Sequence, residues 1–386
     1  MSKPTSDCRA TERNHPWPMV RLGDVCEVRA GANYKDVEDP NGRYPIYGTG
    51  GIMGRASQYR CPAHSVIVGR KGTLDNPFLV HEPFWNIDTC FGVVPSERII
   101  PEYLFRFCQG FDFYSLVPAS GRPSTTSDAV RAIEIPLPPL PVQREIVARL
   151  ERELAAVEKM KKGFEALAET AKAEFKAELE ETFLHLKSKL MLFGDACEFI
   201  RNGASIKQGK GMSGIPVTRI ETLAGGRINP DRVGYANIYD PHLYNKYLLS
   251  EGDLLISHIN SECYIGRMVM YRGEIEGPII HGMNLLRARL LCSASVLPDY
   301  VELYFKTTAA RKYILSVIKK AVNQVSVSAT DFKNMPLSVP TMELQRQIVS
   351  HLSAAKARAE KLEEKAREGV AVCETMRKAI LKEAFE

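Results

Sequence analysis

Long apolar runs are missing from this chain. None approaches the roughly 18–20 residues that cross a bilayer. The opening "MSKPTSDCRATERNHPWPMV" has no apolar core behind its charges, so it does not read as a signal peptide. Paired metal-ligand spacings are missing as well. The nine cysteines stand singly without a C-x-x-C pair, and His64, His81, His258 and His281 are isolated. That pattern argues against a disulfide framework or a zinc site and for a reducing cytoplasm. Neither sign of charge dominates: a net charge of +5 permits a polyanionic partner without demanding one.

Catalytic signatures fail on inspection. "GTGGIMG" (Gly48–Gly54) has the glycines of a dinucleotide loop, but no apolar-periodic helix follows and no acidic ribose partner is evident. "GRKGT" (Gly69–Thr73) lacks the spacing of a phosphate-binding loop. "DNPF" (Asp75–Phe78) lacks the second proline of an amino-group methyltransferase tetrapeptide and reads as a turn. Asp24 and Asp195, each after a glycine, suit turns or helix caps. The expectation is a binding protein with no catalytic residue, no metal and no cofactor.

What is present is a repeat. "IPLPPLPVQREIVARL" (Ile135–Leu150) returns as "MPLSVPTMELQRQIVSHL" (Met335–Leu352), with Gln143 and Gln345 202 positions apart. "LGDVCEVRAGA" from Leu22 is echoed by "FGDACEFIRNGA" from Phe193, and "IPEYLFRF" from Ile100 by "LPDYVELYF" from Leu297. "STTSDAVRAIEIPLP" from Ser124 is echoed by "SVSATDFKNMPLSVP" from Ser326. Echoes kept in order over half the chain describe two versions of one unit. With 386 residues, 45% apolar and 25% charged, there is room for two or three globular domains.

Each half begins strand-rich. "RYPIYG", "HSVIVGR", "GDLLISHI" and "RMVMYRG" are short β-type runs bounded by turn residues. One short helix per half is expected near Tyr103–Gln109 and Tyr300–Lys312, beside one twisted sheet. Each half then ends in a long helix. Apolar residues recur at Leu150, Leu154, Val157, Met160, Phe164, Leu167, Ala171, Phe175, Leu179 and Phe183. They recur again at Leu352, Ala355, Ala359, Leu362, Ala366, Val370, Cys373, Met376 and Ile380. Sustained steps of three and four describe a coiled-coil seam over roughly 40 residues, about 60 Å at 1.5 Å per residue. The expected divisions are residues 1–140 and 188–341 as globular domains and 141–187 and 342–386 as helices. The fold class is α+β: two similar domains joined by two long antiparallel coiled-coil helices, with pseudo-two-fold symmetry.

Loops in both halves carry polar and basic side chains able to hydrogen-bond base edges and phosphates. In the first half the candidates are Asn33, Tyr34, Lys35, Thr49, Arg55, Arg70, Lys71, Arg122, Ser124 and Thr125. In the second they are Lys207, Gln208, Lys210, Arg219, His258, Asn260, Arg267, Asn323, Gln324 and Ser326. The Pro-rich phrases offer a second kind of surface, and Pro138, Gln143, Arg144, Pro340, Gln345 and Arg346 are candidates for docking a partner. Two equivalent surfaces on a pseudo-symmetric chain should recruit two copies of that partner.

Two variable halves, each closed by a Gln-Arg-x-Ile-Val-x-x-Leu helix, resemble the specificity subunit of type I restriction-modification systems. "RYPIYGTGGIMG", "IVGRKGT" and "GIPVTRIETLAGGRI" look like the target recognition domains of that family. The resemblance covers nearly the whole chain. It implies a non-catalytic subunit that binds double-stranded DNA and assembles with two adenine-methylating modification subunits, and with motor-nuclease restriction subunits for cleavage. Each domain would read one half of a split site and the helices would set the gap. Two other readings stay open: a coiled-coil scaffold with ligand-binding end domains, and part of a fused restriction-methylation enzyme. No membrane partner is expected.

Overall fold

A computed structural model describes residues 16–118, 123–209, 211–321 and 324–386. The chain forms two compact units. One runs to Ala166 and includes Ala366–Glu386, and the other is Leu167–Lys365. Two long helices are therefore each divided between the units.

In the first unit the strands are β1 (Met19–Arg21), β2 (Cys26–Ala30), β3 (Tyr44–Gly48), β4 (Gly51–Ala56), β5 (Ser65–Gly69), β6 (Phe78–Val80), β7 (Trp85–Asn86), β8 (Cys90–Pro95) and β9 (Glu134–Pro136). The helices are α1 (Leu22–Val25), α2 (Pro101–Gly110), α3 (Ser127–Arg131) and the first long one, α4 (Leu140–Leu184). β1 pairs antiparallel with β9 and clamps the two ends of the globular segment together. Four strands form an antiparallel sheet in the order β2-β8-β5-β6, and three more form β4-β3-β7. β5 is buried along its whole length. Its successive side chains point to opposite faces, with Val66 and Val68 in one core and Ile67 in another. This is why Ser-Val-Ile-Val-Gly carries no polar alternation.

In the second unit the strands are β10 (Lys189–Leu192), β11 (Cys197–Asn202), β12 (Leu254–Ser257), β13 (Ile259–Asn260), β14 (Met268–Met270), β15 (Leu285–Leu290), β16 (Lys319–Ala321), β17 (Gln324–Ser326) and β18 (Pro336–Val339). The helices are α5 (Pro298–Tyr304), α6 (Thr308–Ser316), α7 (Ala329–Lys333) and α8 (Met342–Glu383). β10 pairs with β18 as β1 does with β9, and the four-stranded order β11-β15-β12-β14 repeats β2-β8-β5-β6. β12 is the counterpart of β5: Leu254 and Ile256 enter one core, Leu255 another. The remaining sheet, β13-β17-β16, draws on a different part of the chain from β4-β3-β7. The frame is repeated; the third sheet is not.

The echoed phrases build the frame. Gln143 is buried at the start of α4. Its Oε1 accepts from Ile100 N–H (2.9 Å), and its Nε2 donates to the carbonyls of Arg98 (3.0 Å) and Pro138 (2.8 Å). Gln345 repeats all three bonds with Leu297 N–H, Ser295 and Pro340, each at 2.9 Å. Ile100 and Leu297 are the N-cap residues of α2 and α5. One amide thus ties the Pro-rich segment, the long helix and the short helix into a single node. The echo around Ser124 and Ser326 supplies caps: Thr126 Oγ1 accepts from Ala129 N–H on α3, and Ser328 Oγ from Asp331 N–H on α7.

Within each unit the long helices lie antiparallel. In the first, Lys161 Nζ meets Glu374 (3.1 Å) and Phe164 packs on Gly369, where a Cβ would sit 2.5 Å from the ring. In the second, Lys172 approaches Glu363 (3.9 Å) and Glu178 meets His351 (3.0 Å) and Arg358 (3.3 Å). Exposed ion pairs of this kind contribute at most about 1 kcal/mol. The helices are held by buried Leu150, Val157, Ala171, Leu179, Leu352, Ala355, Ala366, Cys373 and Leu381. Phe385 closes the first unit edge-on to Tyr103 (5.2 Å) and Phe107 (5.4 Å). Phe183, 202 positions earlier, packs on Tyr300 (5.5 Å) and Tyr304 (5.7 Å) in the second.

Four expectations need correction. Met160, Leu167 and Met376 lie off the seam, at 43%, 38% and 40% exposure. Lys161 and Ala168 stand at the seam spacing in place of the first two, and the Lys161 head reaches out to Glu374. The stretch Tyr300–Lys312 is not one helix, because Thr307 caps a new one by accepting from Ala310 N–H (3.2 Å). The single sheet per half is several sheets. Finally, Pro138, Gln143 and Gln345 are buried in the nodes just described and present no open surface, whereas Pro340, also buried, borders a surface groove; Arg144 and Arg346 beside them are exposed.

Candidate nucleic-acid interface

In the first unit the chain leaves the buried strand β5 at Gly69 and turns sharply. Arg70 and Lys71 both donate their backbone N–H to Thr89 O (2.8 and 3.1 Å). Lys71 also pairs with Ser124 in an isolated bridge, and Thr125 N–H donates to Arg70 O (2.9 Å). Two loops more than 50 positions apart are thereby joined into one rim. The Arg70 guanidinium lies over the Phe91 ring (5.6 Å), and Lys71 Nζ is 3.4 Å from the Asp88 carboxylate, both groups open to solvent. Ser124 is exposed and Thr125 is buried beneath it. Arg122 lies outside the described residues.

The other candidates of this unit sit around β7 and the β3–β4 hairpin, which is what "GTGGIMG" forms. Trp85 Nε1 donates to Ala32 O (3.2 Å), fixing the loop in which Asn33 Oδ1 accepts from Lys35 N–H (3.1 Å). Asn33 and Lys35 are exposed, while Tyr34 is half-buried against the smaller core. Thr49 is at the hairpin turn, and exposed Arg55 on β4 donates to Arg43 O (3.0 Å).

In the second unit Arg219 Nε donates to Gln208 Oε1 (2.7 Å), joining two of the polar loops. Lys207 is exposed beside them, and Lys210 lies outside the described residues. The 3-10 turn after Arg219 walls a cleft of about 310 Å³, which is also lined by Arg232, Ser257, Asn260, Tyr264 and Arg267. The Arg267 guanidinium lies over the Tyr264 ring (4.8 Å). Asn260 Nδ2 donates to Ser257 Oγ (3.1 Å), and its Oδ1 accepts from Ser261 N–H (2.8 Å). Arg311 clamps the intervening loop by donating to the carbonyls of Ile265 (2.6 Å) and Glu262. On the adjoining sheet β17 brings exposed Gln324 and half-buried Ser326 next to Asn260. Asn323 lies outside the described residues. His258 is buried, and burial lowers its pKa, so it is a neutral interior group rather than a cation at the rim.

Several rim residues escape a search by loop polarity. Exposed Lys319 and Lys320 stand on β16, one strand from Gln324. Arg232 and Tyr264 line the cleft. Ile52 and Met53 project from the hairpin. The doubled lysine was the one usable signal; an apolar loop tip gives none to a reader who sorts loops by charge. Among the described residues no group of three or more His, Cys, Asp or Glu side chains could hold a metal ion. No helix among them is long and apolar enough to cross a membrane.

A repeated frame carrying two unlike polar rims has a counterpart among known families. The family model described as type I restriction modification DNA specificity domain matches residues 14–164 and again 188–370. The chain belongs to this family. It is 40% identical over 160 residues to the MjaX type I restriction enzyme specificity subunit of Methanocaldococcus jannaschii, covering 41% of this chain and 37% of that protein. It is 27% identical over 267 residues to the EcoKI specificity subunit of Escherichia coli K12, covering 66% and 57%. The chain thus spans about a third and somewhat over half of these two family members in the matched stretches. Two solved structures share the fold. A chain from a study of complex assembly and conformational transition of the type I R-M system superposes with a TM-score of 0.73 at 20% identity, over 96% of this chain and 97% of that one. The HsdS subunit of Thermoanaerobacter tengcongensis gives 0.53 at 21% identity over 96% of each.

Proposed function

We propose that this chain is the DNA-reading subunit of a type I restriction-modification complex, each unit reading one half of a bipartite site. The observation that carries the reading is the contrast between a frame built twice and rims built differently. The β1–β9 and β10–β18 ladders, the two four-stranded sheets and the two glutamine nodes are equivalent, whereas the third sheets and the loops above them are not. Equivalent frames suit equivalent partners, so the chain recruits two modification subunits, with exposed Arg144 and Arg346 as docking candidates beside the nodes. A groove of about 490 Å³ near Pro340, lined also by Lys187, Met191, Ser295 and Met342, is a third candidate. Unlike rims suit unlike half-sites. The chain itself carries no catalytic group in this reading and needs no cofactor; methyl transfer and cleavage belong to modification and restriction subunits, in the cytoplasm where the DNA is. The long helices set the unread gap between the half-sites.

The test is a map of methylated sites made with the modification subunits present. Replacing Arg70 and Lys71 together by Ala should relax one half-site, and replacing Gln208 with Arg219 the other. Binding should weaken steeply with salt as phosphate counterions are released. Uniform weakening on every DNA, with the mapped sequence unchanged, would make these residues phosphate anchors instead of readers.

A further inference from the structure

The β3–β4 hairpin carries two large apolar side chains that stay mostly exposed among the described residues, although the Met53 sulfur rests against Gly48. Ile52 is 65% exposed and Met53 55%. The chain reverses through Thr49 and Gly50, and Gly51 opens β4 at φ +108°, a conformation open to glycine but strained for other residues. Tyr47 then pairs with Ile52 while Ile46 pairs with Gly54, so Met53 is an extra residue in the ladder. Such a β-bulge bends its strand and re-aims side chains, and bulges concentrate at functional edges. The tip is firmly held. Asn76 Nδ2 donates to Thr49 O (3.3 Å), Ile87 N–H donates to Tyr47 O (3.0 Å), and β3 pairs with β7. A fixed, mostly exposed apolar tip marks a contact surface more than a mobile loop does.

Its surroundings say what kind of contact. Ile87 leads directly into Asp88 and Thr89. Thr89 O holds the backbone of Arg70 and Lys71, and Asp88 faces the Lys71 ammonium. The apolar tip is therefore continuous with the cationic rim. We infer that this hairpin enters a groove of double-stranded DNA and that Ile52 and Met53 make apolar contacts with base edges there, above all with thymine methyls. The inference rests on the DNA-reading function proposed above. The major groove, about 12 Å wide, admits a two-stranded ribbon, and the thymine C5 methyl is the apolar group on its floor. The neighbouring arginine and lysine supply the charged hydrogen-bond donors of the rim, while the tip discriminates A·T from G·C pairs without a hydrogen bond.

The experiment uses the full chain assembled with modification subunits, on duplexes carrying the mapped site with each thymine replaced in turn by deoxyuridine. Removing one contacted methyl should weaken wild-type binding about fourfold. This should occur only within the half-site read by the first unit. The combined variant Ile52→Ser with Met53→Ser should bind thymine and deoxyuridine duplexes equally and still read the second half-site. Both side chains are exposed, so the variant should fold and assemble normally. A wild type indifferent to every thymine methyl in that half-site overturns the inference, as does a variant that keeps the wild-type preference. Loss of assembly in the variant before DNA is added also overturns it, and puts the tip against a modification subunit. These failures leave the DNA-reading function standing; a wild-type complex with no sequence preference at all removes both.

Discussion

Gln143 and Gln345 illustrate how much one amide side chain can fix. Each is buried and satisfied by one acceptor and two donor bonds. Replacing Gln143 by Ala leaves the Ile100 N–H and the carbonyls of Arg98 and Pro138 short of a partner, at about 1–3 kcal/mol for each group left unsatisfied. We expect Gln143→Ala to lower unfolding stability by at least about 3 kcal/mol, and Gln345→Ala to do the same in the second unit, read by urea denaturation. A loss below about 1 kcal/mol in both would mean the nodes are not structural. His281 offers a pH-dependent counterpart. Burial, followed by the neighbouring Arg287 guanidinium, lowers its pKa to about 3, and Nε2 donates to Leu285 O (2.8 Å). The folded chain keeps this imidazole neutral, while the unfolded chain protonates it near its ordinary 6.5. Between those values unfolding takes up a proton, so the contribution is fully present above about pH 6.5 and falls as pH drops, by about 1.4 kcal/mol per unit. At pH 5 the second unit should be about 2 kcal/mol less stable than at pH 7 from this group. His258, also lowered by burial, adds in the same direction. The depressed carboxyls of Glu302 and Asp331 act only further down the pH scale. His281→Gln should flatten the slope between pH 7 and 5; an unchanged slope would assign it to other groups.

At the scale of elements, the long helices were the most legible feature, because apolar steps of three and four sustained over so many turns fit neither a strand nor a loop. Their detailed seam was less so. Met160 and Leu167 fit the period as well as Lys161 and Ala168 do, and only the approach of the second helix selects between adjacent positions. The same limit applies to the glutamine nodes. A polar residue repeated at a helix start looks like a surface motif until the distant groups it meets, such as the Arg98 carbonyl 45 positions before Gln143, are in place. Loop chemistry found the cations at the rims but not the junction of Lys71 with Ser124, which is a tertiary pairing. It also missed Ile52 and Met53, since apolar residues are ordinarily assigned to cores. Gly369 shows an element-level constraint that propensity alone would misjudge. Ala at this helical position should gain about 1 kcal/mol over Gly. Here its Cβ would press on the Phe164 ring, and such overpacking costs about 1–3 kcal/mol. Gly369→Ala should therefore destabilise the wild type, yet stabilise a Phe164→Leu background in which the ring is gone. A double-mutant cycle measures the sign change, and additive effects would show that the two helices do not meet at this point.

On the scale of the whole molecule, the 202-residue offset relates not only the helix starts but also their ends. Phe183 and Phe385 cap equivalent aromatic pairs, Leu179 and Leu381 are both buried, and so are Ala171 and Cys373. The last stretch of α8 therefore does for the first unit what the last stretch of α4 does for the second. A chain ending near Ser188 keeps all of α4 but loses the segment from Ala366 that completes its own unit. Exposed Tyr103, Phe107, Leu150 and Val157 would then seek a helix with the same apolar spacing, and the α4 end of a second copy has it. Reciprocal exchange buries both ends in one symmetric dimer, which is the closed arrangement expected when identical surfaces complement each other. The fragment should run as a dimer in light scattering, and Phe183→Ala should weaken it by about 3–5 kcal/mol per site, in line with loss of a buried aromatic ring. With modification subunits added, the dimer should direct methylation to an inverted repeat of the first half-site, because both rims are now copies of the one bearing Arg70, Lys71 and the hairpin tip. A soluble monomer with partners bound would break the equivalence of the two helix ends. A dimer that methylates the original asymmetric site would break the assignment of one half-site to one unit.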